Sequence, residues 1–192
     1  MLEPLSPAER ALLLRVAREA IAANLAIGAS ACVTDAEGLL RDRQAGAFVT
    51  IRCGGELRGC IGDLDGGPIL EVVRHCAVAA ASSDPRFSRV TAAEWPAVDL
   101  EISVLGALEP VDEVTTIEIG RHGLIVEHGR RRGLLLPQVA TEWGWDRETF
   151  LAHTCRKAGL PPDAWRKGAQ VFRFEADVFA DEWSGTRNDQ LP

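Results

Sequence analysis

The chain has 192 residues, 46% apolar and 26% charged, a composition typical of a globular protein with one ordinary core or two small lobes. Its formal charge of −7 disfavours binding to nucleic acid, because an acidic surface repels phosphate backbones. No stretch approaches the roughly 20 uninterrupted apolar residues that span a bilayer, so we expect no membrane anchor.

Cysteine usage indicates a reducing compartment. The five cysteines are Cys32, Cys53, Cys60, Cys76 and Cys155. They are odd in number, form no C-x-x-C pair and follow no secretory leader, so we expect reduced thiols in a cytoplasmic protein. His153 and Cys155 would point to different faces of a helix, and we therefore predict no metal site.

The first elements have clear local signals. Ser6 to Glu9 forms a capping box with proline at the first helical position, which predicts an amphipathic helix from about Pro7 to Leu25. Residues 26–45 lack periodicity and are interpreted as a long connection that covers a site. Apolar and polar residues then alternate from Ala47, and the Gly54-Gly55 pair predicts a β-hairpin.

The register of this hairpin determines what surrounds Cys60. A two-residue turn would place Ile51 opposite Arg58 and Val49 opposite Cys60. We therefore expect the thiol to lie on a sheltered, aliphatic face.

The next segment suggests a turn, a helix and a strand. Residues 62–67 are predicted to form a turn, after which Pro68 opens a helix whose apolar stripe contains Cys76. A second capping box, Thr91 to Glu94, predicts a short helix that Pro96 ends. Residues 98–104 form an alternating strand in which Glu101 points away from the aliphatic row.

The remainder of the chain predicts a smaller unit and a closing strand. Short, glycine-bounded strands at 124–128 and 133–136 indicate a subdomain around residues 111–140. Asp146 caps a helix that runs to about Ala158, a strand follows at 171–179, and residues 184–192 are predicted to fray. Hairpins outnumber strand-helix-strand units, so we predict an α+β fold with a mostly antiparallel sheet.

The segment Leu57 to Gly62 carries the leading candidate site. In an extended strand Arg58 and Cys60 project to one side, and a neighbouring cation favours the thiolate. The alternative is a small buried cysteine beside a solvated arginine. His75 is a candidate base for such a thiol, whereas His122 has the context of a turn residue.

A second candidate is the loop Asp84-Pro85-Arg86-Phe87, which either anchors a ligand carboxylate or phosphate or clamps the loop itself. The usual phosphate-binding, dinucleotide-binding, serine-hydrolase and H-E-x-x-H motifs do not occur.

Seven ordered motifs resemble the AMMECR domain family, whose prokaryotic members are called AmmeMemoRadiSam system protein A. They are the segments 46–50, 57–62, 84–87, 101–105, 122–126, 133–140 and 144–146. The similarity runs from about Leu12 to Trp183, so the whole chain, residues 1–192, is interpreted as one domain of this type.

The resemblance implies a two-lobed fold: a larger lobe with a mostly antiparallel sheet flanked by helices, and a smaller β-rich lobe. It also implies a pocket near Leu57 to Gly62, an unestablished activity with no known cofactor, and association with a Memo-like protein and a radical S-adenosylmethionine enzyme. This chain lacks the C-x-x-x-C-x-x-C motif of the radical enzyme. The residues carried over by matching motifs are Arg58, Gly59, Cys60, Gly62, Asp84, Arg86, Glu101 and His122.

Two hypotheses follow for the function. In the first, the protein is an enzyme in which Cys60 is a nucleophile or redox thiol, Arg58 is its electrostatic partner and Glu101 is an acid or base. In the second, it is a binding module that docks to the Memo-like or radical partner, and Gly59 and Gly62 allow another backbone to approach. The substrate, the reaction and the oligomeric state stay open.

Overall fold

The computed structural model describes residues 3–27, 35 and 38–181, and it has an α+β fold with an antiparallel sheet flanked by helices. The helices are α1 (Pro7–Asn24), α2 (Ile69–Ser82), α3 (Pro137–Glu142) and α4 (Arg147–Lys157). The strands are β1 (Gln44–Cys53), β2 (Glu56–Pro68), β3 (Val98–Leu105), β4 (Glu109–Pro110), β5 (His122–His128), β6 (Arg131–Leu135) and β7 (Gln170–Ala180). Cys32 and the segment predicted to fray lie outside the described residues.

The chain groups into two compact units. One comprises residues 4–104 with the chain from Asp177 onward, and the other comprises Leu105–Ala176 with the amino-terminal residues. Each has its own apolar core. The first unit contains α1, α2 and β1 to β3, and the second contains β4 to β6, α3, α4 and most of β7.

Helix α1 begins as its sequence predicts. The Ser6 hydroxyl accepts a hydrogen bond from the Glu9 backbone N–H, and the Glu9 carboxylate accepts one from the Ser6 N–H. The helix packs an apolar stripe into the core of the first unit, and its arginines bind the carboxyl end of β7. Arg10 pairs with Asp177 at 2.8 Å, and Arg18 pairs with Asp181.

The sheet of the first unit is antiparallel, with strand order β2-β1-β3. The Gly54-Gly55 turn joins β1 to β2 as predicted, and both glycines have positive φ. Arg52 pairs with Leu57 and Ile51 pairs with Gly59, which leaves Arg58 as an extra residue in a β-bulge. Strand β2 then continues to Pro68, and the turn predicted at residues 62–67 occurs as an irregularity inside this strand, where Asp63 Oδ1 accepts from the N–H groups of Asp65 and Gly66.

Helix α2 lies against one face of this sheet. Gly59 allows the approach, because a Cβ atom there would be 2.2 Å from the carbonyl oxygen of Ala80. Val49 and Ile51 of β1 are completely buried in the same core. Side chains alternate along a strand, so the residues between them face the opposite side of the sheet.

The segment after α2 contains less helix than predicted. Thr91 and Glu94 form the expected capping box, but only a single 3₁₀ turn, Trp95–Ala97, follows before β3. Pro96 lies inside this turn and has no N–H with which to extend it.

The second unit builds its core between strands and α4. Strand β5 pairs with β6 in a hairpin and with β7 on its other side, and β4 also pairs with β7. Asp146 caps α4 by accepting from the Thr149 N–H at 2.8 Å, as predicted. Gly133 allows the end of α4 to lie close to β6, because a Cβ atom at this position would be 2.3 Å from the Ala158 nitrogen. Within the described residues, no helix has the length and apolarity needed to cross a membrane.

Candidate functional site

A lateral row across three strands joins Cys60 to Glu101. Cys60 of β2 pairs with Thr50 of β1, and Thr50 pairs with Glu101 of β3. Directly opposed residues on antiparallel strands project to the same face, so Cys60 and Glu101 share the face that lies opposite α2. Strands lie about 4.8 Å apart, which puts the two Cα atoms roughly 10 Å from each other. This spacing suits two groups that act on opposite ends of one small ligand.

Thr50 sits at the centre of this row and orients the sulfur. The Thr50 hydroxyl donates a hydrogen bond to the Cys60 Sγ atom at 3.3 Å, and Thr50 is only 6% exposed. The predicted register, with Val49 opposite Cys60 and Ile51 opposite Arg58, is wrong because Arg58 occupies the bulge. The thiol therefore has a polar cross-strand neighbour on a face that also carries a carboxylate.

Arg58 is bound by the segment that follows α2. Its Nε donates to the Glu94 carboxylate at 2.8 Å, and its other nitrogens donate to Ser88 and to the Arg89 carbonyl oxygen at 2.5 to 3.2 Å. The side chain is 16% exposed. Within the part of the chain that the structure describes, every side-chain hydrogen bond of Arg58 goes to this segment and none goes to Cys60. The Arg58 guanidinium therefore ties β2 to the segment that follows α2.

The Arg58–Glu94 pair leads to a prediction about stability in acid. Arg58 first, and then Thr91, lower the pKa of Glu94 from 4.5 to about 2. A carboxylate with a depressed pKa stabilises the fold at neutral pH and loses this contribution as the pH falls. We expect Glu94→Gln to be less stable than the wild type at neutral pH, and the difference to vanish as the pH falls from 4.5 to 2.

Urea denaturation across this pH range measures the effect. Glu56→Gln, at an exposed position at the start of β2, is the matched control and should show little difference at any pH. A Glu94→Gln deficit that stays constant with pH would show that the ionised pair does not stabilise the fold.

Asp84 and Arg86 clamp the backbone of Cys60. The Asp84 carboxylate, 1% exposed, accepts from the Cys60 N–H at 2.9 Å and from the Arg86 guanidinium at 2.7 Å. Arg86 donates in turn to the Cys60 carbonyl oxygen at 3.4 Å. The Arg86 guanidinium holds the pKa of Asp84 well below its usual range, and the Cys60 and Arg86 N–H groups add to this effect. Of the two alternatives for this loop, ligand anchor or clamp, the contacts are those of a clamp.

The other predicted residues of the first unit lie elsewhere. His75 is on the exposed side of α2, which packs on the sheet face opposite the Cys60 side chain. Cys76 is fully buried in the core, and burial raises its pKa to about 11. Gly62 lies beside Phe48, whose ring would be 2.3 Å from a Cβ at that position. The site thus contains Cys60, Thr50 and Glu101, but not His75.

His122 belongs to the second unit and is 5% exposed. Its Nδ1 accepts a hydrogen bond from the Glu118 backbone N–H at 2.9 Å, which closes the turn that precedes β5. Burial first, and then the nearby Arg173, lower the pKa of His122. Among the described residues, no group of three or more histidine, cysteine or acidic side chains is arranged to hold a metal ion.

Sequence reasoning missed two residues that matter here. Thr50 has a local signal, because it alternates with the buried Val49 and Ile51 and therefore faces away from the core. Glu94 was identified only as part of a capping box. Its pairing with Arg58 joins residues 36 positions apart, and no local pattern predicts it.

The comparisons with known proteins agree on one family. The AMMECR1 family model matches residues 14–179. A protein of Methanothermobacter thermautotrophicus is 43% identical over 93% of this chain and 97% of its own length, and one of Thermofilum pendens is 45% identical over 92% of both. The crystal structure of the uncharacterised protein PH0010 from Pyrococcus horikoshii is 40% identical, covers 88% of this chain and 90% of its own, and has a TM-score of 0.80. The chain therefore belongs to the AMMECR1 family.

Proposed function

We propose that the protein is an enzyme-like component of the AmmeMemoRadiSam system in which the Cys60 thiol acts as a nucleophile or redox group. The observation that carries this proposal is the row formed by Cys60, Thr50 and Glu101 on one sheet face. A thiol that accepts a hydroxyl hydrogen bond and shares a face with a carboxylate has the parts that cysteine chemistry uses.

Each residue has a separate role in this proposal. Cys60 contacts the reacting atom, and Glu101 donates or accepts a proton at the other end of the ligand. Thr50 orients the sulfur through its hydroxyl. Asp84 and Arg86 fix the Cys60 backbone, so they are positioning residues, and Arg58 holds the segment that carries Glu94.

Alkylation of Cys60 by two reagents of different charge tests the proposal. Iodoacetamide is neutral and iodoacetate is an anion, so a carboxylate close to the thiol slows the second reagent more than the first. At the roughly 10 Å that separates the two positions and at an intermediate dielectric constant, the repulsion is worth about 1 kcal/mol, or about fivefold in rate. We expect Glu101→Gln to abolish most of this discrimination at Cys60, as measured by peptide mapping of the alkylated protein.

The chain offers controls for this experiment. Glu71→Gln removes an exposed charge from α2 on the other side of the sheet and should leave the discrimination intact. Cys76 and Cys155 are fully buried and have raised pKa values, so they should stay unmodified in the native protein. A native Cys60 that reacts with neither reagent, or a discrimination that Glu101→Gln leaves unchanged, would contradict the proposed role.

The alternative is a docking module for a Memo-like protein or a radical S-adenosylmethionine enzyme. It is favoured by the position of Leu57 to Gly62 on β2, the last strand in the order of its sheet, where Leu57 is 37% exposed. Co-purification with each partner distinguishes the docking hypothesis from the enzyme hypothesis. Docking predicts that Leu57→Glu abolishes capture while Cys60→Ser preserves it. Capture that survives Leu57→Glu would exclude docking through this segment.

A further inference from the structure

A small polar cavity lies within the second unit and has no role in the function proposed above. Its volume is about 190 Å³. The polar side chains that line it are Glu109, Glu118, Arg121, His122, Arg173 and Glu175. An engineered apolar cavity of about 150 Å³ holds a benzene molecule, so this one has room for a ligand of roughly six to ten non-hydrogen atoms.

His122 lines this cavity and has one ring nitrogen with no hydrogen bond to the described residues. Its Nδ1 accepts from the Glu118 N–H, so that nitrogen carries no proton and the neutral ring is protonated on Nε2. No hydrogen bond joins Nε2 to any residue in the described ranges, and this atom is not among the fully enclosed polar atoms that lack partners. The Nε2–H is therefore a donor with no protein partner among the described residues, on a buried ring that lines the cavity.

The charges of the lining determine what the cavity accepts. Arg121 is paired with Glu118 at 3.1 Å and with Glu175 at 2.7 Å. Arg173 is paired with Glu109 at 2.9 Å and also donates to a backbone carbonyl oxygen. Every charged group of the lining is therefore already paired, but three carboxylates against two guanidiniums leave a net charge of −1, which favours a cation over an anion.

We propose that this cavity binds a compact cationic amine that also carries a carbonyl or hydroxyl oxygen. The oxygen accepts from the His122 Nε2–H, and the amine lies against the carboxylates, with Glu109 the residue that recognises its charge. Glycinamide has both groups, a protonated amine and an amide carbonyl. Glycolamide replaces the amine with a neutral hydroxyl, and glycolate is an anion of similar size.

Titration of the ¹⁵N-labelled protein with these three compounds tests the proposal, with the His122 ring signals and the backbone N–H signals of residues 118–122 as the readout. Glycinamide should give saturable shifts and bind about tenfold more tightly than glycolamide, as expected for one favourable ionic contact. Glycolate should give no saturable shift. No saturable shift with glycinamide, or equal binding of glycolate, would overturn the proposal.

Two substitutions of His122 separate its turn-closing role from ligand binding. Asparagine keeps an acceptor near the Nδ1 position for the Glu118 N–H but lacks the distal donor. The His122→Asn protein should therefore fold, and its affinity for glycinamide should be about tenfold lower than that of the wild type. Glutamine places an N–H near the Nε2 position, so His122→Gln should bind more tightly than His122→Asn. Unchanged binding by a folded His122→Asn protein would overturn the proposal.

A third variant keeps the test decisive if both His122 variants unfold. Glu109→Gln replaces a half-exposed carboxylate. It should lower the affinity for glycinamide about fivefold or more and leave the affinity for glycolamide unchanged. An equal loss of affinity for the two compounds would show that Glu109 does not recognise the charge of the amine. His75→Asn, on the exposed side of α2 in the other unit, is the matched histidine control.

Discussion

Replacing Gly59 with alanine is expected to lower the free energy of unfolding by about 3 kcal/mol or more. The added Cβ atom would lie 2.2 Å from the carbonyl oxygen of Ala80 and 3.1 Å from its carbonyl carbon. Both are backbone atoms of α2, so no rotation of a side chain relieves the overlap and the helix must move away from the sheet. Thermal unfolding should show a decrease in Tm of about 6 to 12 °C.

Gly67→Ala is the matched control for this substitution. Gly67 lies in the same strand, its φ is not in the left-handed region, and a Cβ there would meet only Val72 Cγ2, at an ordinary 3.5 Å. We expect a change within about 0.5 kcal/mol of the wild type. Similar losses in the two variants would show that the close approach of α2 does not explain the glycine at position 59.

The second large effect is expected for Asp84→Asn, with a loss of about 2 to 4 kcal/mol. Asparagine has nearly the same size but only one accepting oxygen, so it cannot satisfy both the Cys60 N–H and the Arg86 guanidinium. Urea denaturation measures this loss. Because the ionised carboxylate is responsible, the deficit should shrink as the pH falls below the ordinary range of aspartate.

Alkylation of Cys60 gives the same variant a second readout. The clamp fixes the backbone on both sides of the Cys60 Cα atom, so its loss should change the rate at which iodoacetamide modifies the native protein. Asp42→Asn, at an exposed position outside the clamp, should change neither stability nor rate. A normal alkylation rate in a destabilised Asp84→Asn protein would show that the clamp stabilises the fold but does not affect the reactivity of the Cys60 thiol.

Local signals in the sequence predicted most elements of the fold. The capping boxes at Ser6 and Thr91, the Gly54-Gly55 turn and the Asp146 cap all occur where expected, because each depends on residues within one turn of the chain. The α+β class follows from the same hairpins. The AMMECR1 resemblance, carried by motifs spread along the chain, is also confirmed.

The register around the candidate site was not predictable in this way. The bulge at Arg58 depends on Ser88, Arg89 and Glu94, which bind its guanidinium from a distant segment. One inserted residue reverses which side chains face the core, so Cys60 meets Thr50 instead of Val49. The alternation of β3 still indicated correctly that Glu101 faces away from the aliphatic row.

The clamp on Cys60 also affects how this molecule meets other chains. A terminal strand offers its free N–H and C=O groups to any extended peptide, which is a route to unwanted polymerisation. Here the carboxylate of Asp84 and the guanidinium of Arg86 occupy both groups of one residue and imitate the missing neighbour. Strand addition is thereby opposed at Cys60, because neither of its two backbone groups is left for an incoming peptide.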